Sequence, residues 1–131
     1  MKTSSFYLFL FLFLGATFNI LAQDKAISST KVGFQTANLS AISQYLHSEV
    51  ALVIDDEQVA SGKSATEVSL KSFFSKHSVT NFDFIHQGNS KDGKVFAVGK
   101  YDYNGGCYRV RVNLKNYSGE YLIGNIDITK E

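Results

Sequence analysis

The 131-residue chain has no proline and no tryptophan, and only one cysteine and one methionine. No proline-rich linker divides it, and it holds no internal repeat or low-complexity stretch. The lone Cys107 excludes an intramolecular disulfide. Its thiol is either packed, as cysteines often are, or open to pairing between molecules. No base accompanies it in the sequence for nucleophilic work. HExxH, CxxC, GxSxG and phosphate-cradling glycine loops are all missing, so no metal or cofactor is expected. An excess of charge is missing too, with 13 basic and 12 acidic residues, and the two become equal once Lys2 is removed with the leader. A neutral chain has no electrostatic reason to bind nucleic acid or an acidic membrane surface.

What is present begins with that leader. Lys2 is positive, Phe6 to Leu14 is almost wholly Phe and Leu, and Ala22 precedes the polar Gln23-Asp24. This predicts a secretory signal peptide over residues 1–22, cleaved after Ala22, and an exported product, periplasmic or secreted, with no membrane attachment after cleavage. A membrane anchor is the competing reading, but the apolar run is short for a hydrocarbon core of about 30 Å. Residues 24–131 then suit a single domain with one modest core.

The first part of that domain reads as helices and short strands. Ile27 and Phe34 give a weak helical signal from Asp24 to about Phe34. Asn38 stands as an N-cap before a helix from Leu39 to His47, with Leu39, Ile42 and Leu46 at helical spacing. Val50, Leu52 and Ile54 mark a short strand that Asp55-Asp56 ends, and Glu57 to Gly62 turns back as a second. Ser64-Ala65-Thr66-Glu67 is a capping box opening a helix to about His77, whose stripe is Leu70, Phe73, Phe74 and His77.

Val79 to Ile128 reads as four consecutive antiparallel strands. A two-residue Asn104-Gly105 loop, with positive φ at both residues, sets Tyr101 opposite Tyr108, Gly99 opposite Val110 and Lys100 opposite Arg109. A looser turn from Gly88 to Gly93 puts His86 opposite Val95. A three-residue loop at Tyr117-Ser118-Gly119 puts Leu114 against Leu122 and Arg109 across from Asp127. One face then collects Phe82, Phe84, His86, Tyr101, Val110, Leu122 and Ile126, beneath the aromatic helix. The other mixes Ile85, Phe96, Val98, Tyr121 and Ile123 with charges, where a merely wetted face would be more polar. Gly99 and Gly124, mid-strand on the core face, imply close packing or a sharp bend.

Asn38-Leu39-Ser40-Ala41-Ile42-Ser43, Phe73-Phe74, Phe84-Ile85-His86-Gln87-Gly88 with Ser90-Lys91, Tyr108-Arg109-Val110 and Tyr121-Leu122-Ile123 resemble a family of small secreted bacterial proteins, domain of unknown function family 4783. The element order resembles the cystatin-like, or nuclear transport factor 2-like, roll. The resemblance implies an α+β roll of order α-α-β-β-α-β-β-β-β, with helices on one face of a curved antiparallel sheet. It also implies an exported protein from a Bacteroidetes-type bacterium. It brings no activity, because that superfamily holds isomerases, dehydratases, cyclases and adaptors alike.

Two functional readings follow, and the first is preferred. It is a non-catalytic exported domain that binds a small apolar ligand or forms a homodimer through the outer face, with Ile85, Phe96, Val98, Tyr121 and Ile123 as interface candidates. The alternative is an isomerase or dehydratase acting on a small apolar substrate inside the cone. There His86, Tyr45 and Tyr101 point inward, Asp55 stands at the rim, and desolvation tunes a base. Against it, His86 can simply bond a backbone carbonyl, the tyrosines can be core residues with hydroxyls at the rim, and Asp55-Asp56 is a turn signal. A third reading, a cystatin-like inhibitor or adaptor, needs an exposed hairpin wedge, for which the polar turn from Asn89 to Asp92 is poor material.

Overall fold

The structure is a computed structural model that describes residues 20–90 and 92–131. Residues 1–19, most of the expected leader, lie outside the described residues. The described chain starts in a helix, α1, over residues 20–36, longer than the spacing of Ile27 and Phe34 suggests. Ala26, Ile27, Thr30 and Phe34 form its buried stripe. The one polar member is satisfied locally, since the Thr30 hydroxyl donates to the Ala26 carbonyl at 2.7 Å. The helix ends at Ala37, whose φ is 53°. The Asn38 amide donates back to the Gly33 carbonyl at 2.9 Å, a closure usually built on glycine.

Helix α2, Leu39–Ser43, is shorter than the expected Leu39–His47, and Asn38 at its N-cap position makes no side-chain cap bond. Leu46 and His47 belong instead to β1, Leu46–Ile54. The sheet claims this segment: Leu46 pairs with Ile123, and the Ile123 amide donates to the Tyr45 carbonyl at 2.6 Å. Strand β2, Glu57–Ser61, follows a two-residue loop in which Asp55 and Asp56 have φ of 49° and 65°, the mirror-image turn that matches strand twist.

The third helix, α3, spans Lys63–Lys76 and buries Thr66, Leu70, Phe73 and Phe74. The expected Ser64 capping box does not form. Gly62 occupies the N-cap, with no side-chain cap bond, because the chain must take φ of 93° there to leave β2. Ser64 therefore falls inside the first turn. The Glu67 carboxylate instead accepts the Ser43 hydroxyl, tying α3 to α2.

Strands β3 (Val79–Asn89), β4 (Lys94–Tyr103), β5 (Gly106–Tyr117) and β6 (Glu120–Lys130) complete a six-stranded sheet. Its spatial order is β2-β1-β6-β5-β4-β3. Every pairing is antiparallel except that of β1 with β6, which is parallel. The helices cover one face, where Val110 and Ile126 are fully buried and Phe84 packs partly buried against the same core as Phe73 and Phe74. Phe34 lies 5.1 Å from Phe82 and 5.7 Å from Phe74, ring centre to ring centre. Each such side chain removed from water contributes about 1.5–3 kcal/mol.

The β4–β5 register is the expected one, Tyr101 with Tyr108 and Gly99 with Val110, although positive φ falls on Gly106 rather than on Asn104 and Gly105. The other two hairpins differ. Between β5 and β6 the loop has two residues, Ser118 and Gly119, with φ of 55° and 95°. A bulge at Gly124 then separates the Leu114–Ile123 pair from Asn113–Asn125. Arg109 consequently faces Thr129 rather than Asp127, and its ion-pair partner is Glu131 at 3.7 Å. Between β3 and β4, Phe84 faces Gly99 and His86 faces Val98, with Ile85 in the bulge between them. That bulge puts His86 on the face away from the helices.

Gly99 marks a close approach rather than a bend: a Cβ there would stand 2.6 Å from the Phe82 ring and 2.9 Å from the Asp83 carbonyl oxygen. Gly99→Ala is expected to lower stability by about 1–3 kcal/mol, read as a lower urea midpoint with an unchanged slope. Gly124→Ala, whose Cβ would meet only the Tyr117 hydroxyl at 3.5 Å, serves as the tolerated comparison.

Candidate functional site

The space between helices and sheet is filled with aromatic side chains. Tyr101 is fully buried there. Its hydroxyl donates to the His77 carbonyl, and its ring lies 5.2 Å from that of Phe73. Burial pushes its phenol from the ordinary 10.0 to about 12, which makes it a core residue with a satisfied tip rather than an acid or base near neutrality.

The other sequence candidates are scattered around this interior. Tyr45 is half-buried against the core at the end of α2, beside a shallow depression it shares with Tyr121 and Leu122. Asp55 is exposed at the β1–β2 turn. Its carboxylate accepts the Lys130 amide at 2.8 Å and its own amide donates to the Ile128 carbonyl at 2.8 Å, so it fastens the turn to β6. His86 is exposed on the outer face, its ring 5.5 Å from that of Phe96, because the Ile85 bulge rotates it out of the cone. The four residues share no site.

His77, read from sequence only as part of the helix stripe, has the most engaged imidazole. Nδ1 donates to the Phe73 carbonyl at 3.1 Å, which leaves Nε2 to accept the Tyr108 hydroxyl at 3.3 Å. The ring lies 4.7 Å from Phe73 and 4.9 Å from Tyr103. Burial, followed by the Tyr103 and Asp55 groups nearby, pushes the Tyr108 phenol up. A cleft of about 300 Å³ adjoins it, walled by Ile54, Val59, Phe73 and Lys76. With both ring nitrogens occupied, His77 latches the end of α3 to the sheet.

The larger concavity is on the outer face. A cleft of about 530 Å³ lies over β4, β5 and β6, and Lys94, Phe96, Arg111, Asn113, Tyr117 and Asn125 line it. Phe96 covers Gly88, where a Cβ would come within 2.6 Å of the ring, and the Arg111 guanidinium sits 4.8 Å above the same ring. Opposite, Tyr117 stacks on His47 with ring centres 4.1 Å apart. Of the expected interface residues, Phe96 and Val98 are half-buried on this face, and Ile85 is 70 % exposed at the β3 bulge. Ile123 is not on it: the two-residue loop moves Ile123 into the core, fully buried. Tyr121 packs against that core as well. Cys107 is half-buried, and burial, with the Asp102 carboxylate beside it, pushes its thiol up. Among the described residues no group of three or more His, Cys, Asp or Glu side chains is placed to hold a metal ion.

Known proteins share this architecture. The family model for the domain of unknown function DUF4783 matches residues 27–129, and the chain belongs to that family. It is similar to a DUF4783 family protein of Bacteroides ovatus ATCC 8483, with 28% identity and a TM-score of 0.74 over 79% of this chain and 93% of that one. Two further crystal structures share the fold alone. One is an NTF-2 like protein of unknown function from Silicibacter pomeroyi DSS-3, 9% identical, TM-score 0.63, covering 86% of this chain and 95% of that one. The other is an uncharacterized protein with a cystatin-like fold from Caulobacter vibrioides, 10% identical, TM-score 0.65, covering 86% and 89%. The fold is thus the α+β roll that the element order predicts. No curated protein matches the chain.

The Tyr101 geometry has a measurable consequence. Its folded-state pKa of about 12 lies above the ordinary 10.0, so its contribution is complete below pH 10 and is lost as pH rises toward 12. Tyr101→Phe is expected to lower stability at pH 7 by about 0.5–1.5 kcal/mol through the missing hydrogen bond. Urea unfolding across alkaline pH should also show a shallower decline for the variant than for the parent.

Proposed function

We propose that this protein is an exported, non-catalytic domain that works through the outer face of its sheet, binding a small ligand or a second copy of itself. One observation carries the reading. The helix-covered side is packed with Phe34, Phe73, Phe74, Phe82 and Tyr101, while the opposite side carries Phe96 and Val98 beside an open cleft of about 530 Å³. Catalysis in the cone stands second, because His86 and Asp55, the bases it would use, are both exposed and engaged outside the interior.

Export rests on the leader sequence and gains support from α1. Ile20 and Leu21 are 60% and 59% exposed, and the first core residue of the helix is Ala26. Of the described residues, cleavage after Ala22 therefore removes the exposed Ile20 and Leu21 and no member of the buried core. Protein recovered from cells that express the full chain is expected to begin at Gln23 on N-terminal sequencing. A retained Met1 would overturn the export reading.

For the outer face, sedimentation velocity from micromolar to millimolar protein tests self-association. Association that Phe96→Glu weakens by about tenfold or more, with an unchanged circular dichroism spectrum, supports a dimer through this surface. Strictly monomeric behaviour removes the dimer. Ligand-induced shifts confined to the amides around Phe73 and His77 would remove the outer-face reading as a whole.

A further inference from the structure

Lys94 and Lys115 are directly paired across β4 and β5. Like charges placed opposite one another on neighbouring strands repel, and Arg111 adds a third cation to the same cleft. Among the described residues, no carboxylate lines that cleft. Elsewhere on this side of the sheet, basic residues have acidic neighbours: Lys100 with Asp102 at 4.0 Å and Arg109 with Glu131 at 3.7 Å. Among the described residues, Lys94, Lys115 and Arg111 have no ion-pair partner within 4.0 Å, although Asp127 pairs in register with Arg111.

The cleft is also held in shape. The Arg111 Nε donates to the Asn113 side-chain oxygen at 3.1 Å and the guanidinium rests over Phe96, which leaves the terminal nitrogens as donors in a fixed plane. The Tyr117 ring is fixed by its stack on His47, and the Lys115 ammonium lies 5.6 Å from its centre. Asn113 and Asn125, paired across β5 and β6, offer amides between the two aromatic walls. An arrangement of cations without ion-pair partners, two aromatic walls and two amides suits a carboxylate carried on a hydroxylated ring. The cations take the charge, the two aromatic side chains wall the sugar ring in by their edges, since Arg111 and His47 already cover their faces, and the amides take the hydroxyls.

Building on the reading of the outer face as the working surface, we propose that the cleft between Phe96 and Tyr117 binds a sugar acid, with Lys94, Lys115 and Arg111 on its carboxylate. A neutral apolar ligand is a poor occupant, because it would strip water from three cations and give nothing in return. The affinity is expected to weaken as salt rises, since the cleft is open to solvent.

The test is an amide chemical-shift titration of the protein recovered from cells expressing the full chain, with D-glucuronate, D-glucose and benzoate as probes. Glucuronate is expected to move the Phe96, Asn113 and Asn125 amides saturably, while glucose and benzoate at equal concentration do so at least about tenfold more weakly. Lys115→Gln should weaken glucuronate about tenfold and leave the thermal midpoint unchanged or higher, because it also relieves the Lys94–Lys115 repulsion. Glucose binding as tightly as glucuronate overturns the role of the cations, and benzoate binding as tightly overturns the sugar. If glucuronate leaves these amides unmoved, the ligand assignment is overturned. In that case Phe96-dependent self-association keeps the outer-face reading, and its absence removes both.

Discussion

The contact on which the rest depends is the seating of the α1 aromatic on the concave sheet. Phe34 meets Phe82 on β3, Phe74 on α3 and Tyr101 on β4 at ring-centre distances of 5.1, 5.7 and 6.4 Å. Offset and edge-on aromatic pairs add about 0.5–1.5 kcal/mol each to the burial of their surface, and here one ring joins two helices to two strands. The same packing forces Phe82 down onto β4, where only the missing side chain of Gly99 makes room. It also fills the volume that a hollow roll would offer to a ligand. The polar tips left at the margin, the Tyr101 hydroxyl and the His77 imidazole, are taken up by each other's neighbourhood. That exchange secures the helix end.

With the inner side committed to stability, the outer side has the freedom to carry chemistry. Its organisation rests on a glycine lying beneath an aromatic ring, Gly88 under Phe96, and on the Tyr117 hydroxyl reaching Gly124. A side chain at Gly88 would lift or displace the Phe96 ring, so the strand gives up packing of its own to let a neighbour lie flat. The stacking partners, Arg111 and His47, then hold those rings from above and behind. The result is a surface whose shape is set by the sheet itself rather than by a mobile loop.

Much of this was legible in the sequence, and the misses have particular causes. The order of elements, the aromatic stripe of α3 and the β4–β5 register follow from apolar spacing and one short turn, and these are strong local signals. The β5–β6 register was not legible. Ser118-Gly119 makes a two-residue loop with a non-glycine residue at positive φ, and the bulge at Gly124 restores the faces further along. Val112 and Ile126 therefore kept their expected side, while Ile123 and Leu122 exchanged theirs. The outward turn of His86 is hidden for the same reason, because a bulge at Ile85 leaves no mark in the alternation of residue types. The local pattern of Tyr117 is that of turn material, and its stack on His47 depends on β1 lying beside β6, a long-range pairing that no local pattern encodes.

That pairing has a bearing on how the molecule comes into being. Strands β3 to β6 can zip together as successive hairpins, and β1 with β2 as another, but only the parallel β1–β6 pairing joins the two groups. A chain that emerges amino end first therefore holds the β1–β2 hairpin apart from the sheet until β6 is free. Such topologies, dominated by contacts between distant parts of the chain, close slowly. Closure of the sheet thus waits on its parallel seam, the one pairing that no hairpin can form.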